Sequence, residues 1–112
     1  MTEADRRKNP RYAFIATAEL LEPATDVRIA SRVSELSVHG CYLDMMNPFP
    51  VETMTLVKIW AGDAVFQSKS KVLYATPNMG AGVVFLDTDP QFMDVLTGWI
   101  RELSLEPGRV LK

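Results

Sequence analysis

Four basic side chains fall within six residues near the start of the chain, in Arg6-Arg7-Lys8-Asn9-Pro10-Arg11. A guanidinium stays charged at any physiological pH. Its flat fork of donors matches two phosphate oxygens, or the paired acceptors on the edge of a guanine. Three such groups placed before the fold begins make a clamp for a small anion, to which Lys8 adds only charge. The first eleven residues are net +2, whereas residues 12 to 112 are net −4. Attraction for an anion is therefore local, and the whole-chain charge of −2 speaks against DNA, RNA or an anionic membrane as partner.

The other reactive residue types do not assemble a catalytic or metal constellation. His39 and Cys41 lie two residues apart, but a zinc site needs three or four convergent ligands. A nucleophile and base need an orienting third group, which nothing here supplies. Glu35 and Asp44, near strand ends, read as solvated carboxylates. No catalytic residue, metal ligand or cofactor is assigned, so the chain reads as a binding module and not as an enzyme. A single cysteine cannot form an internal disulfide, in keeping with a cytoplasmic location. No apolar run approaches the roughly 20 residues that span a bilayer, and the polar N-terminus lacks a signal core, so membrane insertion and export are not expected.

The length of 112 residues suits one domain. Residues 1–9 read as a mobile basic arm, with Pro10 marking entry to the fold. β-rich stretches then follow at 12–21, 27–36, 41–45, 54–60, 64–75 and 81–86, separated by Gly, Pro and Asn turns. In the second, Val27, Ile29 and Val33 alternate with Arg28, Arg32 and Ser34. In the fifth, Ser68-Lys69-Ser70-Lys71 indicates solvent on one side. Met45, Met46 and Met54 are read as packing residues. Asp89 before Pro90 is a helix start, with an N-cap acceptor and proline at the first helical position. Phe92, Leu96, Trp99 and Leu103 continue at helical spacing to about Ser104. Short strands at this spacing predict a mainly β chain: a six-stranded antiparallel β-barrel with a C-terminal α-helix over 10–104, and a tail at 105–112.

Three motifs stand in order along these elements: Arg7-x-x-x-Arg11 with Arg6 in front, Glu35-Leu36-Ser37-Val38-His39-Gly40, and Gly80-Ala81-Gly82-Val83-Val84-Phe85. In that order they resemble the PilZ domain family, over about residues 6 to 103. The resemblance implies a stand-alone receptor for the bacterial second messenger cyclic di-GMP. Arg7 and Arg11 would take phosphates or guanine edges, and Arg6 would set whether one or two ligands bind. Ser37 would meet a phosphate or hold the turn, and Gly40 would permit positive φ or close approach. Gly80 and Gly82 are read as structural. The family usually carries Asp or Asn where this chain has Glu35, one methylene longer. A strained hydrogen bond to a charged group is worth roughly 1.5–3 kcal/mol, so the departure implies binding about ten- to a hundredfold weaker. Output would pass to a downstream protein through ordering of the arginine arm. The alternative is a PilZ-like protein-interaction adaptor that does not bind nucleotide.

Overall fold

The structure, a computed structural model, describes residues 10–111. Six strands carry the fold: β1 (Arg11–Glu22), β2 (Val27–Leu36), β3 (Gly40–Asp44), β4 (Met54–Ala61), β5 (Ala64–Thr76) and β6 (Gly80–Asp87). A helix, α1 (Pro90–Ser104), follows, and then a two-residue strand, β7 (Val110–Leu111). All pairings are antiparallel. The order β1-β2-β3-β6-β5-β4 returns to β1, closing a six-stranded barrel, and β7 adds outside it on the first residues of β1. Closure removes the exposed edges that an open sheet of this size would present.

Period-two alternation decides what the barrel encloses. From β1 it takes Tyr12, Ala16, Ala18 and Leu20, from β4 Val57 and Ile59, and from β5 Phe66 and Val72, all buried. The serines of β5 also point inward. Ser70 is wholly buried with its hydroxyl 2.7 Å from that of Thr55, and Ser68 lies 2.6 Å from the Thr88 hydroxyl. The solvent side of the strand is thus the lysine side, Lys69 and Lys71. The Ser68 and Ser70 hydroxyls each have a partner, which avoids the penalty of about 1–3 kcal/mol for leaving one unsatisfied.

Helix α1 packs against β5 and β1. Leu96 and Leu103 are buried, and Trp99 stacks 5.3 Å from Phe14 and 6.4 Å from Phe66, which in turn meets Phe85 at 4.8 Å. Proline at the start pre-sets the first turn, but the Asp89 side chain makes no capping hydrogen bond; its backbone carbonyl accepts from the amides of Phe92 and Met93. Of the three methionines read as packing, only Met45 is buried, just after β3. Met46 and Met54 are exposed, one in a bend and one at the outward start of β4.

Three strand irregularities break the alternation on one side of the barrel. The β1–β2 register shifts between Ala13 and Ala16, the β2–β3 register at Ser34, and the β5–β6 register at Leu73. A bulge adds one residue and turns those after it to the other face. Val33 and Leu36 are therefore both buried, three residues apart, leaving Glu35 outside. After inward Val72, Leu73 and Tyr74 both face out.

Candidate functional site

The outward residues on that side converge on an open cleft of about 210 Å³, across the ends of β2, β3, β6 and β5. Arg11, Glu35, the turn from Ser37 to Gly40, Tyr42, Tyr74 and Gly82 line it. Arg11 is the first residue of β1, and Glu35 stands opposite Ala13 on β2. Nη1 of Arg11 lies 3.5 Å from Oε1 of Glu35, both side chains about one-third exposed at 38% and 32%. The Arg11 Nε is buried without a hydrogen-bond partner. A guanidinium carries five N–H donors, so those not spent on Glu35 can still donate to a ligand oxygen.

The turn between β2 and β3 is built by Ser37. Its hydroxyl accepts from the amides of His39 and Gly40, both at 3.2 Å, and donates to the Gly40 carbonyl at 3.3 Å. The Ser37 amide donates to that same carbonyl at 2.9 Å. Turn-holding is thus the role the geometry displays for Ser37. Gly40 does not take positive φ, contrary to one half of the sequence expectation. Glycine is required there because any Cβ would collide with the Val83 carbonyl. The close approach is to the neighbouring strand. Asp44 lies outside the cleft lining, held by Arg32 at 3.0 Å and by the Ser34 hydroxyl at 3.2 Å. Arg6 and Arg7 lie outside the described residues.

An aromatic shelf, not foreseen from the sequence, completes the cleft. Gly82 on β6 pairs with Tyr42 of β3 on one side and Tyr74 of β5 on the other. A Cβ at Gly82 would run into the Tyr74 ring, so the missing side chain is the space over which that ring lies. The two rings stand 6.1 Å apart and 30° from parallel. Gly82 therefore shapes the cleft as well as the fold. Burial, and after it the charges of Tyr74, Asp44 and Glu35, push the Tyr42 phenol above its ordinary 10.0, so it remains a hydrogen-bond donor at neutral pH. Tyr42 was legible as an outward residue between inward Cys41 and Leu43. Tyr74 was not, because its direction depends on the Leu73 bulge.

Cys41 lies at the cleft floor but faces inward. Burial pushes its thiol far above the ordinary 9.0, which removes the thiolate a nucleophile would need. Among the described residues no three His, Cys, Asp or Glu side chains are grouped to hold a metal, and no helix is long and apolar enough to cross a membrane. A carboxylate, a guanidinium and a tyrosine shelf around a shallow cleft are suited to a flat heterocycle that carries anionic groups.

Comparison with known proteins gives the same architecture. The family model described as PilZ domain matches residues 5–102. The PilZ domain of YcgR from Escherichia coli, solved with c-di-GMP, superposes with a TM-score of 0.70 at 16% identity, over 88% of this chain and 92% of that one. The PilZ domain of CeSA from a cellulose-synthesizing bacterium gives 0.67 at 14% identity, over 84% and 97%. The Bacillus subtilis inhibitor of motility MotI/DgrA gives 0.69 at 11% identity, over 93% of this chain and 54% of that one. Comparison with curated protein sequences finds no match.

Proposed function

The chain belongs to the PilZ domain family, and from that premise we propose that it is a receptor that binds cyclic di-GMP in the cleft between β1, β2, β3, β6 and β5. The observation that carries the reading is the convergence of Arg11, Glu35 and the Ser37–Gly40 turn on one cleft beside the Tyr42–Tyr74 shelf. Each guanine offers O6 and N7 to a guanidinium and its N1–H and N2–H₂ to a carboxylate, and its face to an aromatic ring. The Arg11 donors that are not engaged on Glu35 serve a phosphate or a guanine edge. Arg7 supplies the second guanidinium of the clamp, and Arg6 governs whether one ligand or two are held. Ordering of this arginine segment on the ligand changes the surface offered to a downstream protein, so the chain signals by binding and not by catalysis. The solved likeness to a YcgR PilZ domain with c-di-GMP supports the ligand class.

Titration calorimetry with cyclic di-GMP tests the reading. Heat with a dissociation constant in the micromolar range or below is expected from the full chain, and its absence from Arg11→Ala with the circular dichroism spectrum retained. No heat from the full chain sinks the proposal. A second reading, an interaction adaptor without nucleotide, draws on the Arg11–Glu35 ion pair, which engages two of the groups the ligand needs. Recovery of one partner protein with equal yield in the presence and absence of cyclic di-GMP would favour it.

A further inference from the structure

The first residues of β1, which carry Arg11, are poorly held by the barrel itself. The β1–β4 ladder runs only from Thr17 to Leu21, so Arg11–Ala16 has no partner from β4. On the other side the β1–β2 register breaks between Ala13 and Ala16, leaving Tyr12 and Ala13 paired with Leu36 and Glu35 beyond the break. The vacant side is taken by β7: Arg11 pairs with Leu111 and Tyr12 with Val110. Arg109, just before β7, grips both polar groups of Ala13. Its carbonyl accepts from the Ala13 amide at 2.8 Å, and its Nη1 donates to the Ala13 carbonyl at 3.2 Å. Glu106 holds the same guanidinium at 2.7 Å through Nε. Ala13 is the residue opposite Glu35, so this grip sits directly behind the Arg11–Glu35 pair.

We infer that the segment Arg109–Leu111 is a positioning element of the ligand site, bracing the start of β1 so that Arg11 is presented to the cleft before ligand arrives. The inference rests on the receptor reading above. A binding group whose backbone is already ordered loses less freedom on binding, which raises affinity without adding a contact. The coupling is reciprocal: whatever β7 contributes to ligand affinity, ligand returns to the docking of β7. Cyclic di-GMP in the cleft therefore tightens a segment on the far side of β1, beyond the residues that touch it. Arg109 acts only through Ala13 and Arg11.

The test compares the full chain with Arg109→Ala, Arg109→Lys and a chain ending at Gly108, by amide hydrogen exchange without ligand and by titration with cyclic di-GMP. Exchange at the Ala13 amide is expected to rise at least about tenfold in the shortened chain, which deletes its acceptor, the Arg109 carbonyl. It should rise by less in Arg109→Ala, which keeps that carbonyl and loses the Nη1 bond, while the barrel amides of Leu20 and Val57 keep their protection. The dissociation constant is expected to rise about tenfold, the scale of one or two lost hydrogen bonds, with Arg109→Lys recovering part of it. Unchanged exchange at Ala13 overturns the brace whatever the ligand does. Binding by the full chain with equal affinity in all variants overturns the positioning role and leaves the receptor reading standing. No binding by the full chain sinks the receptor reading, and with it the ligand part of this inference.

Discussion

At the residue scale the cleft turns on a competition between two uses of Arg11. Its Nη1 faces Glu35 at 3.5 Å, a distance at the loose end of an ion pair, and both groups are in reach of solvent. Pairs of this kind contribute about 0–1 kcal/mol to stability, so a ligand can displace one partner at small cost. Glu35 reaches across to Arg11 because it has one methylene more than Asp. Shortening it withdraws the carboxylate toward its own strand, leaves Arg11 for the ligand, and puts the acceptor at the length the PilZ resemblance implies. Glu35→Asp is therefore predicted to tighten cyclic di-GMP by about tenfold, the lower end of what a hydrogen bond to a charged group is worth. The melting temperature should hardly move. Calorimetry and thermal denaturation on the same variant check both statements; unchanged affinity would mean that Glu35 is already well placed or is not a contact.

At the scale of elements, β6 shows what a single strand adds to the site and why part of the site was hidden. Gly82 lies between Tyr42 and Tyr74 in the ladders to β3 and β5, and the Tyr74 ring occupies the space a side chain would fill. A methyl group at Gly82 must push that ring away, and with Tyr74 48% exposed the ring has solvent to move into. Gly82→Ala is predicted to weaken cyclic di-GMP binding by about three- to tenfold, the range of one aromatic contact of about 0.5–1.5 kcal/mol. Stability should fall by less than about 1 kcal/mol, since the atoms nearest the added methyl belong to the outer end of a surface side chain that can yield. Denaturant titration beside calorimetry separates the two effects, and a variant that binds as tightly as the parent removes the shelf from the site. The six barrel strands were readable from their own alternation, and the helix from its proline start and apolar period; β7, two residues long within the stretch read as a tail, was not. Glu35 and the Ser37–Gly40 turn were readable too, being a contiguous motif. Tyr74 and Gly82 were not, because their meeting needs the Leu73 bulge and the β5–β6 register, which no local pattern encodes. The brace from Arg109 was hidden for the same reason: it joins residues 96 positions apart.

At the scale of the whole molecule, the cleft and the core share a wall. Cys41 forms part of that wall: its backbone pairs with Leu36 and Val83, its side chain faces the interior, and the cleft lies over it. Burial raises the thiol far above its ordinary 9.0 in the folded state, while in the unfolded chain it ionises near that ordinary value. Between the two, the unfolded state has lost a proton that the folded state keeps, so stability falls as pH rises above about 9 and is unaffected well below it. The slope approaches about 1.4 kcal/mol for each pH unit. Other groups titrate in the same range, but Cys41→Ala removes this one and leaves the rest. The variant should be less stable than the parent at pH 7, by a small cavity's worth of about 1 kcal/mol. That gap should narrow by about 1.4 kcal/mol between pH 8 and pH 10, enough to close it or reverse its sign. Urea denaturation of parent and variant at the two pH values measures it. A gap that stays constant would show that the wall opens to water readily enough for the thiol to ionise in place, and a cleft floor that loose could not hold Gly40 and Tyr42 in register for a ligand.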